Sequence, residues 1–137
     1  MKNSVTLESR IERARQLRKE GHTCSQCVYM VFDDIHGLSP EKAAAVSCGL
    51  GGGVGGQHNV CGTVSALSLV AGDLIYDNNP KSKIPVYSFI KSCCAEFAAR
   101  NGSIICAELL ADTPRRKPCM EYIVDSITIL HRHIDEE

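Results

Sequence analysis

Apolar side chains recur at helical spacing along most of the chain. Leu7, Ile11, Ala14 and Leu17 fall on one side of residues 7 to 20, Arg and Glu fill the other, and Gly21 supplies a stop. A second helix is predicted from Cys24 to Ile35, with Cys24, Val28, Val31 and Ile35 on one face and His36 and Gly37 at its end. Ser39, Pro40 and Glu41 then read as an N-cap, a first-turn proline and an early acid, opening a third helix that closes near Cys48.

The stretch GLGGGVGG, Gly49 to Gly56, is too rich in glycine to continue a helix. After QHNV a fourth apolar helix is predicted from Cys61 to Ile75, where Ser65, Ala66, Ser68, Ala71 and Gly72 suit close packing in the middle of a bundle. DNNPKSKIP reads as a polar connector. Beyond it Val86, Phe89, Ile90, Cys93, Cys94 and Phe97 make a regular stripe, closed by Asn101 and Gly102. Ser103 can cap a short helix through Leu110, and DTPRRKP forms a loop before a last helix carrying Cys119, Ile123, Ile127, Leu130 and Ile134 on one face. No segment alternates with period two. The expected fold is an all-α, single-domain bundle of six or seven helices over residues 1–137, with a glycine-rich loop.

The chain is 137 residues long, with 15 basic and 16 acidic side chains spread along it, so the sequence offers no basic run that would select nucleic acid or anionic lipid. The start, MKNSVTLESRIERARQLRKEG, is charged and amphipathic without the apolar core of an export signal, and no apolar run approaches a membrane span. A cytoplasmic chain is expected. Against that background eight cysteines stand out, because permanent disulfides are rare in a reducing compartment and many thiols point to metal binding or redox chemistry.

Cys93 and Cys94 lie on an apolar stripe and read as small buried hydrophobes, and Cys48, at a helix end where the dipole disfavours a thiolate, reads as packing. Cys24, Cys61, Cys106 and Cys119 differ, since each falls in or beside a first helical turn, where unpaired N–H groups favour the thiolate as nucleophile or ligand. Cys24 and Cys27 also form a CxxC at a helix start, with Cys24 as candidate attacking thiol. His22 stands two residues and His58 three residues before a candidate cysteine, and either could accept its proton or complete a metal shell. His131 and His133, in HRHIDEE, read as a solvated helix end, and Asp33 and Asp34 as a polar face. Gly51, Gly53 and Gly56 satisfy GxGxxG, but a helix precedes them, so a dinucleotide fingerprint is not expected. The loop, with Gly53, Gly55 and Gly56, is instead a candidate for close backbone approach to the cysteines or to a small bound cofactor.

GHTCSQCV, GLGGGVGGQHNVCGTVSAL, EFAARNGSIICAELL and KPCMEYIVDS together resemble the C_GCAxxG_C_C family, small redox-active proteins with four characteristic cysteines and a CGAxxG motif. The resemblance runs from about residue 10 to 133 and makes Cys24, Cys61, Cys106 and Cys119 the four. The central motif departs from the family in Thr63, for the usual alanine, and Ala66, for the final glycine, and Cys27 stands where a small residue is usual. The resemblance implies redox activity, and the related cysteine module of split-Soret cytochromes, which holds an iron–sulfur centre, points the same way. Two redox chemistries follow for the four thiols: ligation of an iron–sulfur cluster, with an electron partner, or dithiol/disulfide exchange. Two other readings stand beside them, a closed structural zinc site and a small-ligand module, and the helices could also serve a homodimer in which the thiols are structural.

Overall fold

The computed structural model describes residues 5–135. Within them the chain forms α1 (Leu7–Lys19), α2 (Cys24–Tyr29), a 3₁₀ turn (Met30–Phe32), α3 (Asp33–His36), α4 (Pro40–Cys48), α5 (Gly62–Ile75), a second 3₁₀ turn (Pro80–Ser82), α6 (Lys83–Asn101), α7 (Cys106–Leu109) and α8 (Cys119–Asp135). Among the described residues there is no strand, only an isolated antiparallel bridge between Val60 and Ile105. The all-α expectation holds. Counting α2 to α3 as one bent segment gives seven helical segments. The bend is a 3₁₀ turn whose residues Met30, Val31 and Phe32 are all buried, so packing tightens what periodicity reads as a continuous helix.

The local signals act where expected. Thr6 accepts from the Ser9 amide, Ser39 accepts from the Lys42 amide ahead of Pro40, and Thr23 with Gln26 makes a reciprocal capping box. Gly37 and Gly102 take left-handed conformations that end α3 and α6. Two boundaries move. α6 starts at Lys83, before Pro85, because a first-turn amide has no intrahelical partner for proline to remove. α7 starts only at Cys106, and Ser103 is not its cap: Ile105 is bridged to Val60, and the Ser103 hydroxyl accepts from the Ile105 amide and donates to Glu108.

α5 is the central helix and packs against α2, α6 and α8, while α1 lies across α8 and α2. Its Val64, Ala66, Leu67, Val70 and Ala71 are buried, and the Ser126 hydroxyl of α8 donates to the Thr63 carbonyl at 2.8 Å. Gly72 is different, with no atom within 4 Å of the position a Cβ would take. The α6 stripe behaves as read, with Val86, Phe89, Cys93 and Phe97 buried and Ile90 and Cys94 half-buried.

Three readings of charged or polar positions are corrected. Arg10 is only 1% exposed, although α1 reads as polar on that side. Its guanidinium makes two bonds to Asp34, at 2.8 and 2.9 Å, one to the Val31 carbonyl at 2.6 Å, and one from Nε to Nδ1 of His131 at 3.0 Å, and it lies over the Phe32 ring. Asp34 is therefore the partner of a buried cation, and His131 is a buried acceptor. His133 is also engaged, with Glu96 at 3.1 Å. Glu136 and Glu137 of the HRHIDEE stretch, and the first four residues, lie outside the described residues. Cys48, read as packing, is exposed at the end of α4.

Candidate functional site

Four separate pieces of chain bring their cysteines to one cavity. Cys24 is the first residue of α2, set by the Thr23 capping box. Cys61 is the N-cap of α5, and its amide donates to the Ile104 carbonyl at 2.8 Å. Cys106 begins α7, its amide donating to the Asn59 carbonyl at 2.7 Å, while the Ala107 amide donates to His58. Residues 58–61 thus run antiparallel beside 104–107, and this pairing helps bring Cys61 and Cys106 to the same cavity. Cys119 begins α8. All four line a cavity of about 280 Å³ that also meets Arg18, His22, His58, Gly62, Leu109 and Tyr122.

The electrostatics link the sulfurs further. A charge on Cys24 acts on both Cys61 and Cys106, and a charge on Cys119 acts on Cys106. The Cβ of any residue other than glycine at 62 would lie 2.7 Å from Cys24 Sγ. All eight cysteines are free thiols. Cys61 and Cys106 are buried, and Cys24 and Cys119 are half-buried.

The helix starts do not make Cys61 or Cys106 acidic overall. Burial pushes Cys61 up, against the Thr63 hydroxyl, which lies 3.1 Å from the sulfur, and backbone amides of the first α5 turn that pull it down. Burial and the neighbouring Cys24 and Cys119 push Cys106 up. Desolvation outweighs the dipole at both, and α7, of four residues, has little dipole to offer. Burial also lifts Cys27 to about 11 and Cys93 to about 12. Cys27 is fully buried and does not line the cavity, so the CxxC does not present two thiols to a common substrate.

These shifts fix a sign. Folded thiols with raised pKa hold their protons longer than the unfolded chain does, so their contribution is complete below the unfolded value of about 8.5 and is lost as pH rises towards the folded values. The metal-free protein is expected to lose thermal stability progressively from about pH 8.5 to about pH 11–12, and a Cys27→Ala, Cys93→Ala variant to lose less. Thermal unfolding followed by circular dichroism checks this; an equal slope in both proteins contradicts it.

The histidines differ from their sequence placement. His58 Nδ1 lies 3.3 Å from Cys106 Sγ, 48 residues away, rather than on Cys61, while His22 Nδ1 meets the Leu17 carbonyl at 2.9 Å. His58 has a φ of 63°, held by its amide bond to the Gly52 carbonyl, and a Cβ on Gly53 would lie 2.7 Å from His58 Cα. Gly53 is thus a clasp for the chain's own backbone. Gly55 and Gly56 have open space around them, and of the loop glycines it is Gly52 that lines the cavity. Arg18, Thr63, Leu109 and Tyr122 were not marked by the sequence; only Thr63, as a departure within the motif, carried a signal.

The arrangement is wider than a site for one ion. Among the described residues no three His, Cys, Asp or Glu side chains are gathered closely enough to hold a single metal. A structural zinc site would need four of these ligands about 2.0–2.3 Å from one ion. Four thiols around an open cavity match in number the ligands of an iron–sulfur cluster, whose ligand positions are spread over several iron atoms, and groups able to donate lie beside Cys61 and Cys106.

Residues 22–133 match the family model described as "Putative redox-active protein (C_GCAxxG_C_C)". The chain belongs to the C_GCAxxG_C_C family. No curated protein and no solved structure matches it. The four cysteines assigned by the family resemblance are the four around the cavity, and the family's CGAxxG motif is here the first turn of α5, Cys61 to Ala66. Thr63, which replaces the motif's alanine, puts a hydroxyl against Cys61. Ala66, which replaces its last glycine, is fully buried in the core. Among the described residues no helix is long and apolar enough to cross a membrane.

Proposed function

We propose that this protein is an electron carrier in which Cys24, Cys61, Cys106 and Cys119 hold an iron–sulfur cluster. The observation that carries the reading is the open space between four thiols from distant segments. Two thiols suffice for disulfide chemistry, so exchange leaves half the set without a purpose. When bound, such a cluster supplies reversible one-electron transfer. The chain's own part is to bring four sulfurs to one cavity, to keep Gly62 bare beside Cys24, and to direct Thr63 and His58 at two of the sulfurs. Hydrogen bonds of that kind adjust a reduction potential, and the apolar wall limits water.

A second reading is thiol exchange, favoured by the His58 contact. In it a Cys24 thiolate attacks an external disulfide and expels one thiolate, and Cys106, giving its proton to His58, then attacks the mixed disulfide. The Cys24–Cys106 disulfide is formed and the second external thiolate leaves.

Anaerobic reconstitution with ferrous iron and sulfide separates the two. The expected result is visible charge-transfer absorption with bound iron and sulfide, lost on Cys→Ser change at 24, 61, 106 or 119 and retained in Cys48→Ser. Failure to bind iron, with stoichiometric reduction of glutathione disulfide that requires Cys24, overturns the cluster in favour of exchange.

A further inference from the structure

We propose that the rim of the cysteine cavity docks an acidic redox partner protein, one presenting a carboxylate-rich patch. The inference rests on the electron-transfer reading above. Three shallow hollows share lining residues with the cavity; one, sharing Leu109 and Tyr122, holds Glu108 with Arg115 and Arg116, and the other two are mainly cationic. Of these two, one shares Arg18 with the cavity and adds Arg15 and Lys19 from α1. The other shares Leu110 and Cys119 and adds Arg116 and Lys117 from the loop before α8. Histidines aside, the cavity and these two hollows carry five cations and one anion, Asp112, in a chain with 15 basic and 16 acidic side chains. Folding has concentrated one sign where the site opens.

Most of these cations are uncommitted. Lys117 is paired with Asp125 at 2.7 Å, but among the described residues no carboxylate lies within 4 Å of Arg15, Arg18, Lys19 or Arg116. Arg18 gives one bond, to the His22 carbonyl. Arg18 and Lys19 also complement the C-terminal end of the α1 dipole, a reason for their charge that does not extend to Arg15 or Arg116.

The distribution favours a protein surface over a small anion. Arg18 is the one side chain of fixed charge inside the cavity, whose other walls are mainly cysteine, glycine, threonine and leucine. A small anion seated there would leave Arg15, Lys19 and Arg116 unmatched, whereas a broad acidic patch meets both cationic hollows at once. A nucleic-acid backbone fits less well, because Glu20 and Glu121 follow directly on Lys19 and Met120 and interrupt the cationic run. Transient redox complexes bury small interfaces, under about 1,200 Å², and depend on complementary charge for encounter and orientation. Cys24 and Cys119, the half-buried pair, are the sulfurs presented at such an interface.

The test uses the metal-free full chain, with alkylation of Cys24 and Cys119 by neutral iodoacetamide read by peptide mass spectrometry. An oligoglutamate peptide is expected to slow both about tenfold at low ionic strength, within the range charge attraction supplies. Oligolysine is expected to have no effect, and the protection is to vanish in about 1 M salt, where the screening length is about 3 Å. The exposed triple change Arg15→Glu, Lys19→Glu, Arg116→Glu is expected to abolish protection while retaining the wild-type circular dichroism. Equal protection by free glutamate at matched carboxylate concentration assigns the rim to a small anion and overturns the proposal. Stronger protection by an oligonucleotide, or protection that survives the triple change, does so too. Iron reconstitution of the same triple variant is an independent readout: failed loading in wild type and variant alike sinks the cluster, whatever the labelling shows.

Discussion

Arg10→Ala is expected to lower the free energy of unfolding by about 3–5 kcal/mol, the cost of removing one partner from a buried ion pair. The loss should be large because the guanidinium serves three elements at once: Asp34 of α3, the Val31 carbonyl in the 3₁₀ turn, and His131 of α8. Truncation leaves the Asp34 carboxylate without its main countercharge and the Val31 carbonyl without that donor, and opens a space beside Phe32. His131 accepts from Arg10 at Nδ1, so its own proton sits on Nε2, 3.5 Å from Asp135. His131→Phe keeps an aromatic ring while removing the Nδ1 acceptor and the Nε2 proton that faces Asp135, and its cost is to be smaller, about 1–3 kcal/mol. Urea denaturation measures both. A change under about 1 kcal/mol for Arg10→Ala would show that water reaches this network freely.

Gly62→Ala is the second large effect, and it falls on the site instead of the fold. The added methyl would lie 2.7 Å from Cys24 Sγ and 2.8 Å from the Leu50 carbonyl oxygen. One of these is backbone, so the methyl is accommodated by moving Cys24 or by tilting the start of α5, which carries Cys61. Overpacking of this kind costs about 1–3 kcal/mol, while alanine regains up to about 1 kcal/mol of helix propensity, and the net change in stability is small. Iron loading is expected to fall by at least about tenfold, because ligand sulfurs must be held to within about 0.5 Å. Gly72→Ala, on the same helix with nothing near its Cβ position, is the control and should load normally. Full loading of Gly62→Ala would mean that Cys24 does not need its present position.

The clasp at Gly53 shows how a glycine-rich segment can position sulfurs through its own backbone. Gly53 lets the chain close on His58 and Asn59, with the Asn59 amide donating to the Gly53 carbonyl at 3.0 Å. That closure delivers residues 58–61 to residues 104–107 and so fixes two of the four sulfurs. A GxGxxG spacing is the same whether the missing side chains admit a phosphate or the chain itself, and the neighbouring helix was the only sequence clue to the difference.

Sequence by itself determined the helices, because period and capping are local: Thr23 with Gln26, Ser39 with Pro40, and the glycines at 37 and 102 act on their own few neighbours. Through the family resemblance it also singled out Cys24, Cys61, Cys106 and Cys119 as candidates. Tertiary structure alone decided that these sulfurs share a cavity, that His58 serves Cys106, that Arg10 is buried against His131, and that scattered cations gather at the rim. Each of these joins residues far apart in the chain, 121 positions for Arg10 and His131, and desolvation and charge depend on what arrives from elsewhere. Cys61 and Cys106 therefore read as acidic from their local dipoles, and turn out raised once the rest of the protein has closed over them.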